Sequence, residues 1–337
     1  VEGIRVVSNS HPKSIVRKSS IRTVLFGLII FLAARSFEPY NQGQLAVTLI
    51  LFIGILSIVI LTGISGQISL GQGALMAIGG YSTALMIINL GMSLWIAVPS
   101  AIVSGGFAGL ILGTVAARLS GPYLAGSTLV VALAIPSIAN RFGSVFKGDE
   151  GLQVDVGYPP QWFVNAFGDP SYEMWQFYVA LPFALVALFF ASNLLLSRSG
   201  RVWRSIRDHE IASALTGVKV SRQKVFVFTI SAAFAGLAGA LYGLRGSVGP
   251  STYPTSLSLL LLTGAILGGI RSIAGAFIGS VLVVFLPDWI DYAVHSFELS
   301  EQVSNYLPAL VGGILLILTV VINPAGVAGG THLHKHK

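Results

Sequence analysis

The sequence predicts an all-α polytopic membrane protein with about ten transmembrane helices, and three observations carry that expectation. Of its 337 residues, 54% are hydrophobic and only 10% charged, less than half of the roughly one-quarter charged fraction that covers a water-soluble surface. Mean hydropathy is +0.80. Several apolar runs approach or exceed the roughly 20 residues that cross a bilayer as a helix. Because these runs are continuous rather than alternating, a β-barrel is excluded. Disorder, a stand-alone cytosolic enzyme and a disulfide-stapled secreted scaffold go out with it, the last because there is no cysteine.

Read against their flanks, the apolar runs place spans near 22–37, 45–63, 74–90, 93–117, 121–139, 175–196, 225–246, 257–270, 272–290 and 305–322. Residues 1–21 read as a basic cytoplasmic arm with Arg5, Lys13, Arg17 and Lys18, and Arg22 follows directly. No small-residue cleavage site leads from it into a soluble domain, so the first helix is expected to be retained. Residues 22–322 form the membrane domain, interrupted by an external loop at 140–174 and a cytoplasmic loop at 197–224. Residues 323–337 are a cytoplasmic tail. The external loop carries Pro159, Pro160, Trp162, Pro170 and, just beyond it, Trp175. It is expected to form an ordered cap with aromatics at the interface.

Charge sets the orientation. With the N-terminus inside, the arm, Arg118, the 197–224 loop, Arg271 and the tail hold 16 of the 20 Lys and Arg residues. Arg35, Arg141, Lys147 and Arg245 are left at the outer side. Glu38, Asp149, Glu150, Asp155, Asp169, Glu173, Asp288, Asp291, Glu298 and Glu301 also fall outside. The positive-inside rule therefore favours an even span count with both termini cytoplasmic. The net charge of +7 follows from this topology, and no nucleic-acid partner is needed to explain it.

No G-x-x-x-x-G-K-[ST] occurs, so this chain has no P-loop for nucleotide phosphates. Without cysteine or H-E-x-x-H, the familiar zinc and thiol sites are missing as well. Neither a cofactor nor a metal site is expected in it. His332, His334 and His336 alternate in the tail and read as a solvated basic tail rather than a chelating site. No Asp/Glu/His relay lies within the spans, which weighs against an ion-coupled secondary transporter.

Two segments break the apolar pattern. Gly63–Gly73 (G-I-S-G-Q-I-S-L-G-Q-G) runs into Ala74–Tyr81. Irregular backbone at membrane depth is tolerated only where protein buries it or a wet cavity receives it. This segment therefore reads either as a broken element on a substrate path or as a turn followed by glycine-mediated packing through Gly71, Gly73, Gly79 and Gly80. The second segment, 201–216, has helical charge spacing and Gly217 as a cap. It reads as a docking helix for a cytoplasmic partner or as an amphipathic helix on the membrane surface.

With these segments in view, the chain resembles the permease subunits of ATP-binding cassette importers for branched-chain amino acids, the LivM type, over about residues 45–325. Gly66-Gln67-Ile68-Ser69-Leu70-Gly71 with Gly79-Gly80-Tyr81 is similar to that family's G-Q-x-S-x-G element. Gly121-Pro122-Tyr123-Leu124-Ala125 with Thr128-Leu129 resembles its G-x-Y-L-A-x-x-T-L segment. Arg207-Asp208-His209-Glu210-Ile211-Ala212 leading to Gly217 resembles its cytoplasmic loop, and Ala235–Leu241 and Leu267–Ser272 resemble its later glycine-rich helices. In the general E-A-A-x-x-x-G importer motif, this chain has Ile211 where the Glu stands, with Glu210 one residue earlier. Its external Gly148-Asp149-Glu150-Gly151-Leu152 carries two acids where relatives have a glycine-rich segment.

The resemblance implies the ABC importer permease fold in a bacterial inner membrane. It also implies a second, LivH-like permease, two cytoplasmic ATPases that handle ATP and magnesium, and a periplasmic or lipid-anchored substrate-binding protein. Gln67, Ser69, Gln72, Tyr81, Tyr123 and Thr128 are then the candidates for the substrate pathway. Ile206, Arg207, Asp208, Glu210, Ile211, Ala212 and Gly217 are the candidates for ATPase coupling, and no residue is catalytic. Permeases for urea and short amides share much of the pattern and are the other substrate reading.

Overall fold

The computed structural model describes residues 12–119, 121–296, 301–322 and 326–328. Arg5 in the arm, Glu298 and the histidine-bearing tail lie outside the described residues. The chain begins with α1 (Pro12–Ala34), α2 (Pro39–Ile58), α3 (Gln72–Leu90), α4 (Leu94–Ala116) and α5 (Pro122–Arg141). A π-helical turn, Val59–Ile64, extends α2. Next come a short α6 (Gly143–Phe146), strand β1 (Leu152–Asp155), α7 (Gln161–Phe167) and α8 (Tyr172–Leu196). The second half holds α9 (Arg198–Asp208), α10 (Glu210–Leu215), α11 (Val220–Gly243), strand β2 (Arg245–Val248), α12 (Thr255–Gly268), α13 (Ile273–Ser296) and α14 (Glu301–Ile322).

Every one of the ten apolar runs lies on a helix. Seven helices among the described residues are long and apolar enough to cross a membrane, and Thr23–Ala34, Thr255–Gly268 and Leu310–Thr319 are shorter apolar stretches. The central element is α2 with its π turn, which is almost wholly buried among α3, α8, α11, α12 and α13. Its surface, apolar all round, suits a position with other helices on every side. In contrast, α5 is the least buried of the seven.

Small residues set the closest approaches. Gly79 of α3 lies on the backbone of Gly236 in α11, where any Cβ would overlap the Gly236 carbonyl. In a medium that offers no hydrophobic drive between helices, such close backbone packing supplies the association.

Four features depart from the expected arrangement. First, β1 and β2 pair antiparallel, Leu152 opposite Val248 and Asp155 opposite Arg245, so the chain is helical with one small ladder. Second, the seventh span stops at Gly243, because Gly246 has φ +153° and the chain there is engaged with β1. Third, the 201–216 stretch is not one helix. His209 is extended (φ −151°, ψ 92°) and separates α9 from α10. Fourth, α13 runs on past the expected end of its span at 290, so Asp288 lies within the helix, and it accepts from Tyr40 (3.1 Å) and Gln44 (3.1 Å) at the start of α2.

At one end of the bundle, β1 and β2 form a cap with α6 and α7. The Trp175 indole N–H donates to the Val156 carbonyl (3.3 Å), and Phe163 meets Trp175 edge-on at 5.1 Å. The opposite end gathers the break between α2 and α3, α9–α10, and the 268–271 turn. Val327 and Ala328 donate there to the carbonyls of Leu267 and Gly268.

Candidate translocation and coupling site

The break runs from Ser65 to Gly71, and its polar groups are tied down by neighbouring helices. The Leu70 N–H donates to Thr128 Oγ1 of α5 (2.9 Å), the Gly71 N–H to Ser69 Oγ (3.2 Å), and the Gly73 N–H to Ser258 Oγ of α12 (2.9 Å). The Gly71 and Gly73 N–H groups are among the orphan donors that any helix N-terminus leaves behind, and the α3 N-cap, a glycine, has no side chain to satisfy them. Ser69 and Ser258 do so instead, and Thr128 takes the Leu70 N–H just before them, so α5 and α12 both hold the break.

Just inside, Gln72 closes a buried network. Its amide N donates to Ser231 Oγ (3.1 Å) and its amide O accepts from Ser57 Oγ (3.2 Å), while Ser231 Oγ donates to the Ser57 carbonyl (2.8 Å). Buried polar groups that are fully paired rigidify the site they occupy, so this network locks α2, α3 and α11 together. Gln67 is less complete. Its Nε2 donates to Ser65 Oγ (3.1 Å) and to the Lys224 carbonyl (3.3 Å), whereas its buried Oε1 finds no hydrogen-bond partner among the described residues.

The 197–224 loop is bonded to this break directly. Arg207 Nη1 donates to the Gly63 carbonyl (2.7 Å) at the end of the π turn, and the Arg207 stem lies over Gly66, where a Cβ would meet its Cγ at 2.8 Å. Arg207 also pairs with Asp208 at 2.9 Å. From the other side, Lys224 Nζ donates to both oxygens of Glu210 (2.7 and 2.9 Å), and the Lys224 carbonyl is the acceptor that Gln67 uses. Lys224 thereby connects α10 to the break through a single residue of α11.

The structure divides the pathway candidates. Gln67, Ser69, Gln72 and Thr128 come together at the break, all of them buried. Tyr81 lies higher on α3 under the cap, edge-on to Phe146 at 5.0 Å, and its buried hydroxyl has no hydrogen-bond partner among the described residues. Beside it, the Tyr253 hydroxyl donates to the Gly239 carbonyl (2.7 Å), and burial pushes that phenol well above its ordinary range, so it stays a neutral donor. Tyr123 stands apart on the open face of α5, 79% exposed.

The coupling candidates divide too. Ile206 is 4% exposed and packs inward, while Ile211 is 80% exposed and Ala212 lies open beside it. Gly217 has φ +87° and closes α10 in a Schellman cap, Val218 N–H bonding Ser213 and Gly217 N–H bonding Ala214. Sequence reading missed Ser57, Ser231, Ser258 and Lys224. The first three could have been found as hydroxyls inside otherwise apolar runs. Lys224 is hidden among the basic residues of its loop.

Residues 42–320 match the family described as branched-chain amino acid transport system / permease component. The chain is 30% identical to the high-affinity branched-chain amino acid transport system permease protein LivM of Salmonella typhimurium, the match covering 92% of this chain and 76% of that protein. It is 27% identical to the corresponding LivH permease of Escherichia coli, over 81% of this chain and 89% of the relative. The L-arabinose transport system permease protein AraH of Escherichia coli is 26% identical over 77% and 75%. No solved structure matches the chain.

Proposed function

We propose, for a chain that belongs to the branched-chain amino acid transport system permease family, that it forms one half of the membrane pathway of an ATP-binding cassette importer for leucine, isoleucine or valine. It is a transport permease of the inner membrane, crossing it many times, and not an enzyme. A LivH-like permease is its membrane partner, two cytoplasmic ATPase subunits bind ATP and magnesium, and an external binding protein delivers the amino acid. Both termini and the 197–224 loop face the cytoplasm. The likeness to an arabinose permease spans a second ligand class, so the amino-acid reading leans on the higher identity to LivM.

The observation that carries this reading is the set of three bonds joining the cytoplasmic loop to the break, Arg207 to the Gly63 carbonyl and Lys224 to Gln67 and Glu210. An importer must turn closure of its ATPases into motion of the membrane path, and a two-site device needs a physical link between the sites. Here α10 offers Ile211 and Leu215 to a partner while its neighbour α9 is bonded to the break. The partner permease would pack along α5, whose exposed positions Tyr123, Val130, Leu133 and Ser137 recur at helical spacing.

Uptake of labelled leucine by a strain lacking its own branched-chain importers tests the reading. Uptake is expected only when the ATPases and binding protein are co-expressed. Uptake that persists without the ATPases and collapses with the ion gradient would identify an ion-coupled transporter, and selective uptake of urea or acetamide would identify the short-amide class.

A further inference from the structure

Outside the break and the coupling loop, α4 and α11 flank an open groove of about 440 Å³ at the end of the bundle that also holds α9 and α10. Its walls are Leu110, Thr114 and Ala117 from α4 and the turn after it, and Val225, Phe226 and Thr229 from α11. Arg118 and Arg222 stand at its rim, one just past the end of α4 and the other in the first turn of α11. Neither arginine forms an ion pair with a carboxylate among the described residues. Away from the rim, the outer surface of α4 is a stripe of exposed apolar side chains: Val103, Phe107, Leu110, Ile111 and Val115. On the surface of a membrane-spanning helix, such a stripe faces hydrocarbon.

We infer that this groove is a binding site for an anionic phospholipid, with the headgroup phosphate held by Arg118 and Arg222 and one acyl chain lying between α4 and α11. Two observations of different kinds select that occupant. The rim carries two positive charges at the level where the helices leave the bilayer, and guanidinium pairs match phosphate oxygens in both charge and fork geometry. The walls below are apolar and continuous with the lipid-facing stripe, which suits a chain and not a soluble anion. Basic pockets between transmembrane helices on the cytoplasmic side take lipid headgroups in the same way. The site lies on the α11 helix that also carries Lys224, so an ordered lipid there would steady the helix that joins the coupling segment to the break.

The test uses the purified full chain in detergent, with phosphatidylglycerol and phosphatidylcholine as probes and native mass spectrometry as the readout. Wild type is expected to retain phosphatidylglycerol at a concentration at least fivefold lower than phosphatidylcholine. Arg118→Gln/Arg222→Gln should abolish that preference, whereas Arg35→Gln/Arg271→Gln, which removes the same charge elsewhere, should keep it. Leu110→Trp, which fills the groove and leaves both arginines, should weaken phosphatidylglycerol binding severalfold. Retained preference in the Arg118/Arg222 variant would overturn the inference, and so would equal loss in the charge control. Full competition by millimolar inorganic phosphate would show a soluble-anion site instead. None of these outcomes depends on the transported substrate.

Discussion

The two short helices of the 197–224 loop, α9 and α10, are adjacent in sequence and opposite in character. Helix α9 buries Trp203 and Ile206 against the membrane domain, with the Trp203 indole N–H donating to Gln223 Oε1 (3.0 Å). Helix α10 buries Ser213 alone and leaves Ile211 and Leu215 80% and 84% exposed. Two large apolar side chains held in the open on a six-residue helix have no folding role that the chain itself supplies. The difference separates an anchor, α9, from an exposed surface, α10, which under the proposed function meets the ATPase.

Substitutions can break or sharpen this contrast. The largest effect is expected from Trp203→Ala in the anchor. Removing a fully buried Trp costs on the order of 3–5 kcal/mol, so the yield of monodisperse protein and its thermal midpoint should both fall. On the contact side, Ile211→Asp should leave the midpoint of the isolated permease unchanged. It should also lower ligand-stimulated ATPase activity of the assembled complex by tenfold or more, because truncation at the centre of an interface costs most. If Ile211→Asp instead destabilises the permease alone, α10 is part of the fold and the contrast fails.

Smaller effects probe the junctions. Gly217→Val forces a β-branched residue into φ +87°, a local cost of about 1–2 kcal/mol. Open space surrounds that Cβ position, so the protein should insert and fold. Its stimulated ATPase activity should drop severalfold as the Schellman cap loosens and α10 changes its angle. Lys224→Gln removes a partly exposed ion pair worth about 0–1 kcal/mol. Its midpoint should hardly move, while leucine taken up per ATP hydrolysed should fall by about twofold if Lys224 links α10 to the break. An unchanged ratio would leave Arg207 as the link.

The apolar helices were legible in the sequence because lipid demands a continuous run of apolar residues, a local property. The break was legible for a related reason: Gly63, Gly66, Ser69 and Gly71 interrupt such a run. The β1–β2 ladder was not, since it joins Leu152–Asp155 to Arg245–Val248 across some ninety residues and neither segment alternates strongly enough to announce a strand. The split between Ile206 and Ile211 was equally hidden. Read as one helix, 201–216 gives both isoleucines a place near the centre of a docking surface. The extended His209 resets the helical phase, sending one inward and the other out. Burial of Gln67, Gln72 and Thr128 likewise depends on partners in α11, α2 and Leu70 that spacing alone does not reveal.

The most direct test of α10 as the ATPase contact uses the absence of cysteine. Ile211→Cys and Ile206→Cys, each the single cysteine in the chain, would be labelled with a thiol-reactive benzophenone and photolysed in the assembled complex. An adduct with the ATPase subunit is expected from position 211 and none from position 206. An intact complex in which position 211 gives no ATPase adduct, or in which position 206 gives it instead, would show that α10 is not the ATPase contact.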